Sequence, residues 1–393
     1  MAARLIEWRT SPGAPPEASD AQEPTPSLGI YQRRWRKFRS LKRGYFSLQV
    51  LTGAYVLSFL LPLLVNNKAI VVRYEGRWYF PAVQSWLVSL PLVGGLFGSD
   101  FYSGEFFGQQ GNPGECNYRL LQKQYAADGS MNLVILPPYP YSPIEDVTIE
   151  GNAAFLAPLE RGPDGFPRLL GTDDRGRDVF ARMAYGFQIS LSFALILALL
   201  EYLVGVPIGA ALGFFGGRFD ILAQRLIEIW ATVPFLFLVI IVASIVRPDF
   251  ILLLLLLALF TWVGITVLIR AEFYREKAKD YVAAALAIGV PRWKVMFKHI
   301  LPNALVPIIT YFPFSVVAGI GALVSLDFLG FGLPPPTPSW GEMMSVGLQH
   351  LATGKWWLML SPMMALFLTL TLIVFIGESV REAFDPRAFS RLR

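Results

Sequence analysis

Two acidic side chains lie in or beside long uncharged stretches, where a charge is energetically costly. Glu201 lies within the run 188–215, which has no other charge, and Asp327 directly follows the uncharged run 304–326. A charge at the centre of a bilayer costs about 2.5–3.5 kcal/mol on insertion scales, so both carboxyls should face protein or a path. Glu201 either contacts a substrate ammonium group or has a structural role, in which its carboxyl is hydrogen-bonded or protonated in place. For Asp327 we expect a structural bond at the outer end of a gate. Two flexible glycines complete this set of gate or path candidates, Gly330 and Gly332.

The residue sets on which most enzymes depend are missing from the sequence. We find no paired carboxylates and no nucleophile with a suitable base, and His299 and His350 are too far apart to suggest a zinc site. Cys116 is the single cysteine, so an internal disulfide is impossible, and its thiol is either buried or reactive. No G-x-x-x-x-G-K-[ST] motif is present. We therefore expect no catalytic residue, metal or cofactor on this chain, and any ATP and Mg²⁺ must be bound by another chain.

The composition indicates that lipid surrounds much of the chain. Of 393 residues only 16% are charged, whereas 54% are hydrophobic, and a soluble domain has about 25% charged residues. The net charge of +5 comes from basic residues that cluster beside apolar runs. Such clustering is typical of membrane topology and argues against a nucleic-acid partner.

Six uncharged or nearly uncharged runs predict six transmembrane helices. The first is 44–65, because it has no charge and follows the segment 31–43, which carries seven Lys/Arg and no acid. About 20 helical residues cross a bilayer core. The other runs are 188–215, 229–246, 250–269, 304–326 and 356–377. Since cytoplasmic loops are rich in Lys and Arg, we predict an all-α, multi-pass membrane protein with both termini cytoplasmic.

The spans divide the chain into unequal parts. Residues 1–43 are predicted to form a cytoplasmic tail, disordered at its start, and a basic segment, and 379–393 a second cytoplasmic tail. Residues 66–187 form a long periplasmic segment, and 188–378 contain the remaining five helices. Within the periplasmic segment, the alternating stretches 70–74 and 77–80 predict a hairpin that turns at Glu75-Gly76. We expect this segment to dock a delivery protein or a second membrane subunit.

A helix is predicted immediately before the second span. Val179, Phe180, Met183, Ala184 and Phe187 have helical spacing, and Thr172 or Asp173 can cap the helix. Because the helix has an apolar face, we expect it to lie on the outer leaflet. The alternative is an ordinary exposed helix.

Small residues form a stripe in the second span. Gly205, Gly209 and Gly213 recur every four residues, which lets another helix approach closely. The partner helix could belong to this chain or to a second subunit.

The loop 270–303 is the most informative segment, because its residue types predict two short helices that are broken at Gly289. Residues 283–287 are strong helix formers with little bulk, Gly289 can adopt positive φ, and Pro291 suits the first turn of the next helix. A small alanine-rich helix at the membrane surface could fit a groove in a partner protein. The alternative is an ordinary amphipathic loop.

This loop resembles the coupling loop of ABC importer permeases. The matching residues are Ala284-Ala285-x3-Gly289 and Ile300-Leu301-Pro302-Asn303, although Ala283 stands where the family has Glu. The stretches 171–178 and 326–332 resemble segments of dipeptide and oligopeptide permeases. Residues 72–81 point to a narrower group, the permeases of microcin C and oligopeptide importers.

The resemblance implies a type I ABC importer permease fold and a role for the loop. Ala283, Ala284, Ala285, Gly289, Pro302 and Asn303 would transmit ATPase motion to the spans. The implied partners are a second permease subunit, two cytoplasmic ATPase subunits and a periplasmic binding protein. The implied substrates are peptides or peptide-like compounds such as microcin C. The alternative function, from a different class, is an ion-coupled secondary carrier that works without ATPase subunits.

Overall fold

The structure is a computed structural model that describes residues 30–89, 102–109, 112–128, 131–145, 155–162 and 164–384. The predicted tail before residue 30, and the part of the second tail after residue 384, lie outside these residues. Fourteen α-helices occur within the described ranges. They are α1 Ile30–Ser40, α2 Lys42–Ser58, α3 Leu61–Leu64, α4 Pro81–Ser89, α5 Tyr118–Ala127, α6 Val179–Phe215, α7 Gly217–Ala231, α8 Phe235–Ile245, α9 Phe250–Lys277, α10 Asp280–Ala287, α11 Arg292–Lys294, α12 Leu301–Phe328, α13 Trp340–His350 and α14 Trp357–Phe384.

Four helices of the described part are long and apolar enough to cross a membrane. Three are α6, α9 and α14, and the fourth is the continuous helix Arg292–Phe328, in which α11 passes through the π-helical turns Val295–Ile300 into α12. The pair α7 and α8 makes a fifth if it counts as one span, and it is bent by 58°. The break lies at Pro234, which precedes α8 and cannot donate a backbone hydrogen bond.

The predicted first span is divided in two. Its main helix, α2, has 17 residues, or about 26 Å at 1.5 Å per residue, which is slightly less than a bilayer core. Pro62 ends it, because a proline ring clashes with the carbonyl four residues earlier, here that of Ser58. The amides of Phe59 and Leu60 then bond three residues back, and the short helix α3 follows.

The long helices do not all run in the same direction. Gly205 of α6 faces Ile265 of α9, and Gly213 of α6 faces Phe273, so α6 and α9 run parallel. The helix α12 runs antiparallel to α6, since Gly319 meets Ala194 whereas Ser315 meets Glu201. The helix α1 and the end of α14 meet at one end of the bundle. There, the Lys37 ammonium donates to the Glu382 carbonyl at 2.8 Å.

A tightly packed core joins α6, α12, α13 and α14. Trp340 is its largest fully buried side chain, and its Nε1 donates to the Met183 carbonyl at 3.0 Å. Gly186 leaves room for that indole, because an added Cβ would lie 2.9 Å from Trp340 Cδ1. The start of α6 is therefore held against α13.

The segment between α3 and α6 includes a small sheet, so the molecule is not helical throughout. Strands β1 Val71–Tyr74, β2 Arg77–Tyr79 and β3 Leu133–Ile135 form an antiparallel sheet in the order β2-β1-β3. The predicted hairpin is confirmed, with Glu75 and Gly76 both at positive φ, as a two-residue hairpin turn requires. The sheet and α5 enclose a core that includes Phe107 and Leu121.

The predicted surface helix before the second span is wrong as a separate element. Residues 179–187 are the first turns of α6, which continues without a break to Phe215. Val179 is fully buried, and Met183 and Phe187 pack against the same core cluster, so this face contacts protein rather than lipid. The predicted caps are also wrong, because Asp178 caps the helix by accepting from the Ala181 amide at 2.8 Å.

Candidate functional site

The loop between α9 and α12 is more helical than the sequence indicated. The helix α9 continues past residue 269 to Lys277, and α10 follows after two residues. The predicted break at Gly289 is present, with φ at +84°, a value that glycine tolerates best. The second short helix is wrong as an independent element, because α11 begins after Pro291 and runs through the π-helical turns into α12. The backbone after the glycine is therefore continuous with a span.

The helix α10 has an inner and an outer face. Val282 and Ala285 are buried in a cluster with Val295, Ile300 and Ala304. The outer face is apolar yet exposed, and its residues are Ala283, Ala284, Leu286, Ala287 and Ile288. Ile288 is 81% exposed. A smooth apolar surface of this kind is typical of a protein contact.

A hydrogen-bonded chain fastens α10 to its two neighbouring helices. Asn303 Nδ2 donates to Tyr281 Oη at 3.2 Å, and Tyr281 Oη donates to Glu276 Oε2 at 2.9 Å. The other oxygen of Glu276 accepts from Lys279 Nζ at 2.6 Å. Asn303 and its exposed neighbour Pro302 lie at the start of α12. The chain of hydrogen bonds therefore ties α10 to the ends of both α9 and α12.

The glycine stripe of α6 lies against α9 of the same chain. A Cβ at Gly205 would lie 2.2 Å from Ile265 Cγ2, and one at Gly209 would lie 2.5 Å from the Thr266 carbonyl oxygen. At Gly213 the nearest atom, 2.5 Å away, is the Arg270 carbonyl oxygen. All three distances are shorter than real Cβ contacts allow, so a larger residue would force the two helices apart.

An ion pair missed by the sequence reasoning locks the same end of α9. Asp220 of α7 is buried and accepts from Arg270 Nε and Nη2, each at 2.6 Å. Tyr274 also donates to this carboxylate. The pair is bidentate, a geometry that fixes orientation as well as distance. The only signal for this pair in the sequence is a lone Asp just after one apolar span and an Arg at the end of another.

A cluster of buried charges joins the start of α6 to α13. Arg177 Nε donates to Asp173 Oδ2 at 2.8 Å, and Arg177 Nη2 donates to Glu342 Oε1 at 3.3 Å. Arg182, with a side chain 1% exposed, donates to the other oxygen of Glu342. The burial of Asp173 raises the pKa of its carboxyl, although Arg177 and Arg182 oppose that effect. Glu342 was not selected from the sequence, but pairs such as Asp173–Arg177 in a chain with few charges were a usable signal.

A second buried carboxylate holds the loop before α6. Asp178 Oδ2 accepts from Tyr139 Oη at 2.7 Å and lies 3.6 Å from Arg168 Nη1. The burial of Asp178 raises the pKa of this carboxyl, and the hydrogen bonds from Ala181 and Tyr139 oppose the effect. Both carboxylates thus fix the segment 164–178 at the end of the bundle where α6 begins.

Asp327 makes structural hydrogen bonds at the end of α12. Its Oδ1 accepts from the Leu333 amide at 2.7 Å, and its Oδ2 accepts from Ser339 Oγ at 2.5 Å. Gly330 has φ at +81° and ends the helix. Gly332 sits directly over the carboxylate, since an added Cβ would lie 1.7 Å from Asp327 Oδ1. These residues form a fixed corner between α12 and α13.

Glu201 is distant from that corner. It is half-buried in α6, and Ser315 Oγ lies 3.5 Å from its Oε1. Ser315 precedes Asp327 by twelve residues of α12, or about 18 Å along the helix. The structure therefore does not bring the two acids into one site.

The remaining sequence candidates are also placed. Cys116 is 4% exposed in the core of the small sheet, and its burial raises the pKa of its thiol to about 12. His350 lies beside Phe155 at the end of α13, with ring centroids 4.9 Å apart, whereas His299 lies in the π-helical turns next to the loop. Among the described residues, no group of three His, Cys, Asp or Glu side chains could hold a metal ion.

Comparison with known proteins identifies relatives over most of the chain. Residues 205–390 match the family model described as binding-protein-dependent transport system inner membrane component. The peptidoglycan transport system permease protein YejE of Agrobacterium fabrum is 38% identical over 91% of this chain and 93% of its own. The inner membrane ABC transporter permease protein YejE of Escherichia coli is 37% identical over 91% of this chain and 97% of its own. The dipeptide transport system permease protein DppC of Bacillus subtilis is 35% identical over 57% of this chain and 70% of its own.

Proposed function

The chain belongs to the family of inner membrane components of binding-protein-dependent transport systems, and we propose that it is a permease subunit of an ATP-driven peptide importer. It would form half of the translocation path across the inner membrane and adopt the type I permease fold. The observation that carries this proposal is the exposed apolar face of α10, which is joined to two spans by Glu276, Tyr281 and Asn303.

The exposed face of α10 is suited to a partner that displaces the helix mechanically and not to a chemical reaction. After Asp280 at the start of the helix, its outward side chains are small or aliphatic, and Ala283 offers no charge where the related permeases have an acid. Contact here would depend on shape and buried apolar area. ATPase subunits that close on ATP would displace α10, and the continuous helix after Gly289 would transmit the movement along α12. This is a rigid-body gating motion.

Six crossings of the membrane are part of the proposal. Because α6 and α9 run parallel, the chain must return along the bundle between them, and α7 with α8 is the described segment that can do so. The helix α2 runs opposite to α14, with Gly44 near Ser379 and Tyr55 bonded to Ser192 of α6 at 2.9 Å. The end that contains α1, α10 and the end of α14 is rich in Lys and Arg, so we place it in the cytoplasm.

The proposed partners are those that the resemblance to ABC importer permeases implies. They are a second permease subunit, two cytoplasmic ATPase subunits with ATP and Mg²⁺, and a periplasmic binding protein that docks at the sheet side. The peptides could include cell-wall peptides or compounds such as microcin C. Nothing in the described residues or in the comparisons supports the alternative of an ion-coupled carrier.

The function is tested by a substitution at Gly289 in the assembled transporter. Gly289 has open space around it, so Gly289→Trp should leave membrane insertion intact and block the contact of α10 with an ATPase. We expect peptide uptake to fall at least tenfold while ATP hydrolysis becomes independent of the binding protein.

The matched control is Gly354→Trp. Gly354 also has a positive φ, of +80°, and open space around it, but it lies at the opposite end of the bundle. Both variants carry the same backbone strain, and only Gly289→Trp should uncouple transport. Normal uptake by a well-expressed Gly289→Trp protein would refute the proposed role of the loop.

A further inference from the structure

An apolar cavity lies between one side of α2 and the neighbouring helices of the bundle. Its volume is about 480 Å³, and its walls come from α2, α6, α12 and α14. On the α2 side it is lined by Leu48 and Tyr55, and on the opposite side by Phe312, Val316 and Ile373. Close packing rarely leaves so large a space empty, and a dry apolar cavity of about 150 Å³ already binds a benzene molecule.

The cavity follows the length of the spans and opens sideways. From Leu48 to Tyr55 it extends about 10 Å along α2 at 1.5 Å per residue. Thr52 lines it and is exposed on the outside of the bundle. In a membrane the medium at this opening is hydrocarbon, so the chemistry of the opening and of the walls matches an acyl chain.

One end of the cavity lies near a dense group of cations. Leu48 follows Arg43 by five residues, or about 8 Å along the helix. Seven Lys/Arg and no acid occur in residues 31–43, and Arg36, Lys42 and Arg43 are exposed. The acids of α14 at this end, Glu378 and Glu382, are fewer than these cations. Basic clusters beside a span attract anionic lipid head groups.

We propose that α1 and the start of α2 bind one anionic phospholipid. Its phosphate would lie among Arg36, Lys42 and Arg43, and one acyl chain would enter the cavity between α2 and α12. The lipid would fill the gap that the helices leave and hold α2 to the bundle. The site requires only that the chain lies in a bilayer, and it is independent of the transported substrate.

The test is lipid retention measured by native mass spectrometry. The transporter is purified from its membrane with its associated chains, delipidated in detergent and titrated with phosphatidylglycerol or with phosphatidylcholine of the same acyl chains. We expect one phosphatidylglycerol per chain and at least a tenfold preference over phosphatidylcholine. Thr52→Trp, which fills the mouth of the cavity, should weaken phosphatidylglycerol binding at least tenfold.

Two further variants isolate the parts of the site. Ala54→Trp places the same bulk on the exposed face of α2 outside the cavity lining, and it should bind lipid as the original chain does. The triple variant Arg36→Gln, Lys42→Gln, Arg43→Gln, confined to exposed positions, should abolish the preference for phosphatidylglycerol. Equal retention of both lipids by the original chain would overturn the proposal. So would unchanged binding by Thr52→Trp, or a helix of a second subunit found in the cavity.

Discussion

The substitution Glu342→Gln tests whether the charge cluster at the outer end holds the bundle together. Glu342 is 22% exposed and pairs with Arg182, which is 1% exposed, and with Arg177, which is 3% exposed. Glutamine keeps the shape and one acceptor but removes the charge. Arg182 would then keep one close carboxylate, Asp173, which lies 3.6 Å from its Nε and which it shares with Arg177.

The expected cost follows from the burial of these groups. Removal of one partner from a buried ion pair costs about 3–5 kcal/mol, because the other charge stays buried without compensation. Glu342 keeps some contact with water, so we take the lower value of about 3 kcal/mol, a factor of roughly 100 in the unfolding equilibrium. The bundle from α6 to α14 has about 200 residues, and for a domain of that size the loss corresponds to a fall in Tm of about 6–12 °C.

The assay is thermal unfolding in detergent, followed by intrinsic tryptophan fluorescence. The matched control is Glu228→Gln, which removes the same charge from an ion pair with Arg225 whose side chains are 73% and 46% exposed. Exposed pairs contribute at most about 1 kcal/mol. Adding Arg182→Met to Glu342→Gln should recover part of the lost Tm, because it removes the unpaired charge. Equal shifts for Glu342→Gln and Glu228→Gln would refute the reasoning.

Two more predictions follow from the packing. Gly209→Leu should lower Tm or expression markedly, because its Cβ would lie 2.5 Å from the Thr266 carbonyl oxygen and overpacking costs about 1–3 kcal/mol or more. The control Gly264→Leu on α9, where the space is open, should leave both unchanged. Equal Tm values for the two variants would contradict the close contact. Cys116 should react slowly with a maleimide at both pH 7 and pH 9, because burial raises the pKa of its thiol to about 12. After denaturation in SDS it should react at once. Complete labelling of the native protein within minutes, measured by mass spectrometry, would contradict the burial of this thiol.

Local patterns were sufficient to predict several features of this chain. The uncharged runs marked the long helices α6, α9, α12 and α14, since a helix in lipid can expose few charges. The dipeptide Glu75-Gly76 predicted its hairpin, because both residues adopt positive φ in a two-residue turn. Gly289 predicted the break after α10 for the same reason. Each of these signals depends on residues that are neighbours in sequence.

Other features depended on residues that are far apart in sequence. The first nine residues of α6 have the spacing of a surface helix, yet Trp340 and its neighbours bury them, so the predicted surface helix became the start of a span. The glycine stripe left its partner undecided until α9 was placed beside it.

What the sequence alone determined is the four long apolar helices, the basic segment before α2 and the alanine-rich loop, because these follow from local charge and hydropathy. Only the tertiary structure decided that Glu342 completes the cluster of Asp173, Arg177 and Arg182, and that Asn303 reaches Glu276 through Tyr281. A buried polar group must find its partner wherever the fold places one. Such partners are therefore chosen by packing across the bundle, which local sequence does not encode.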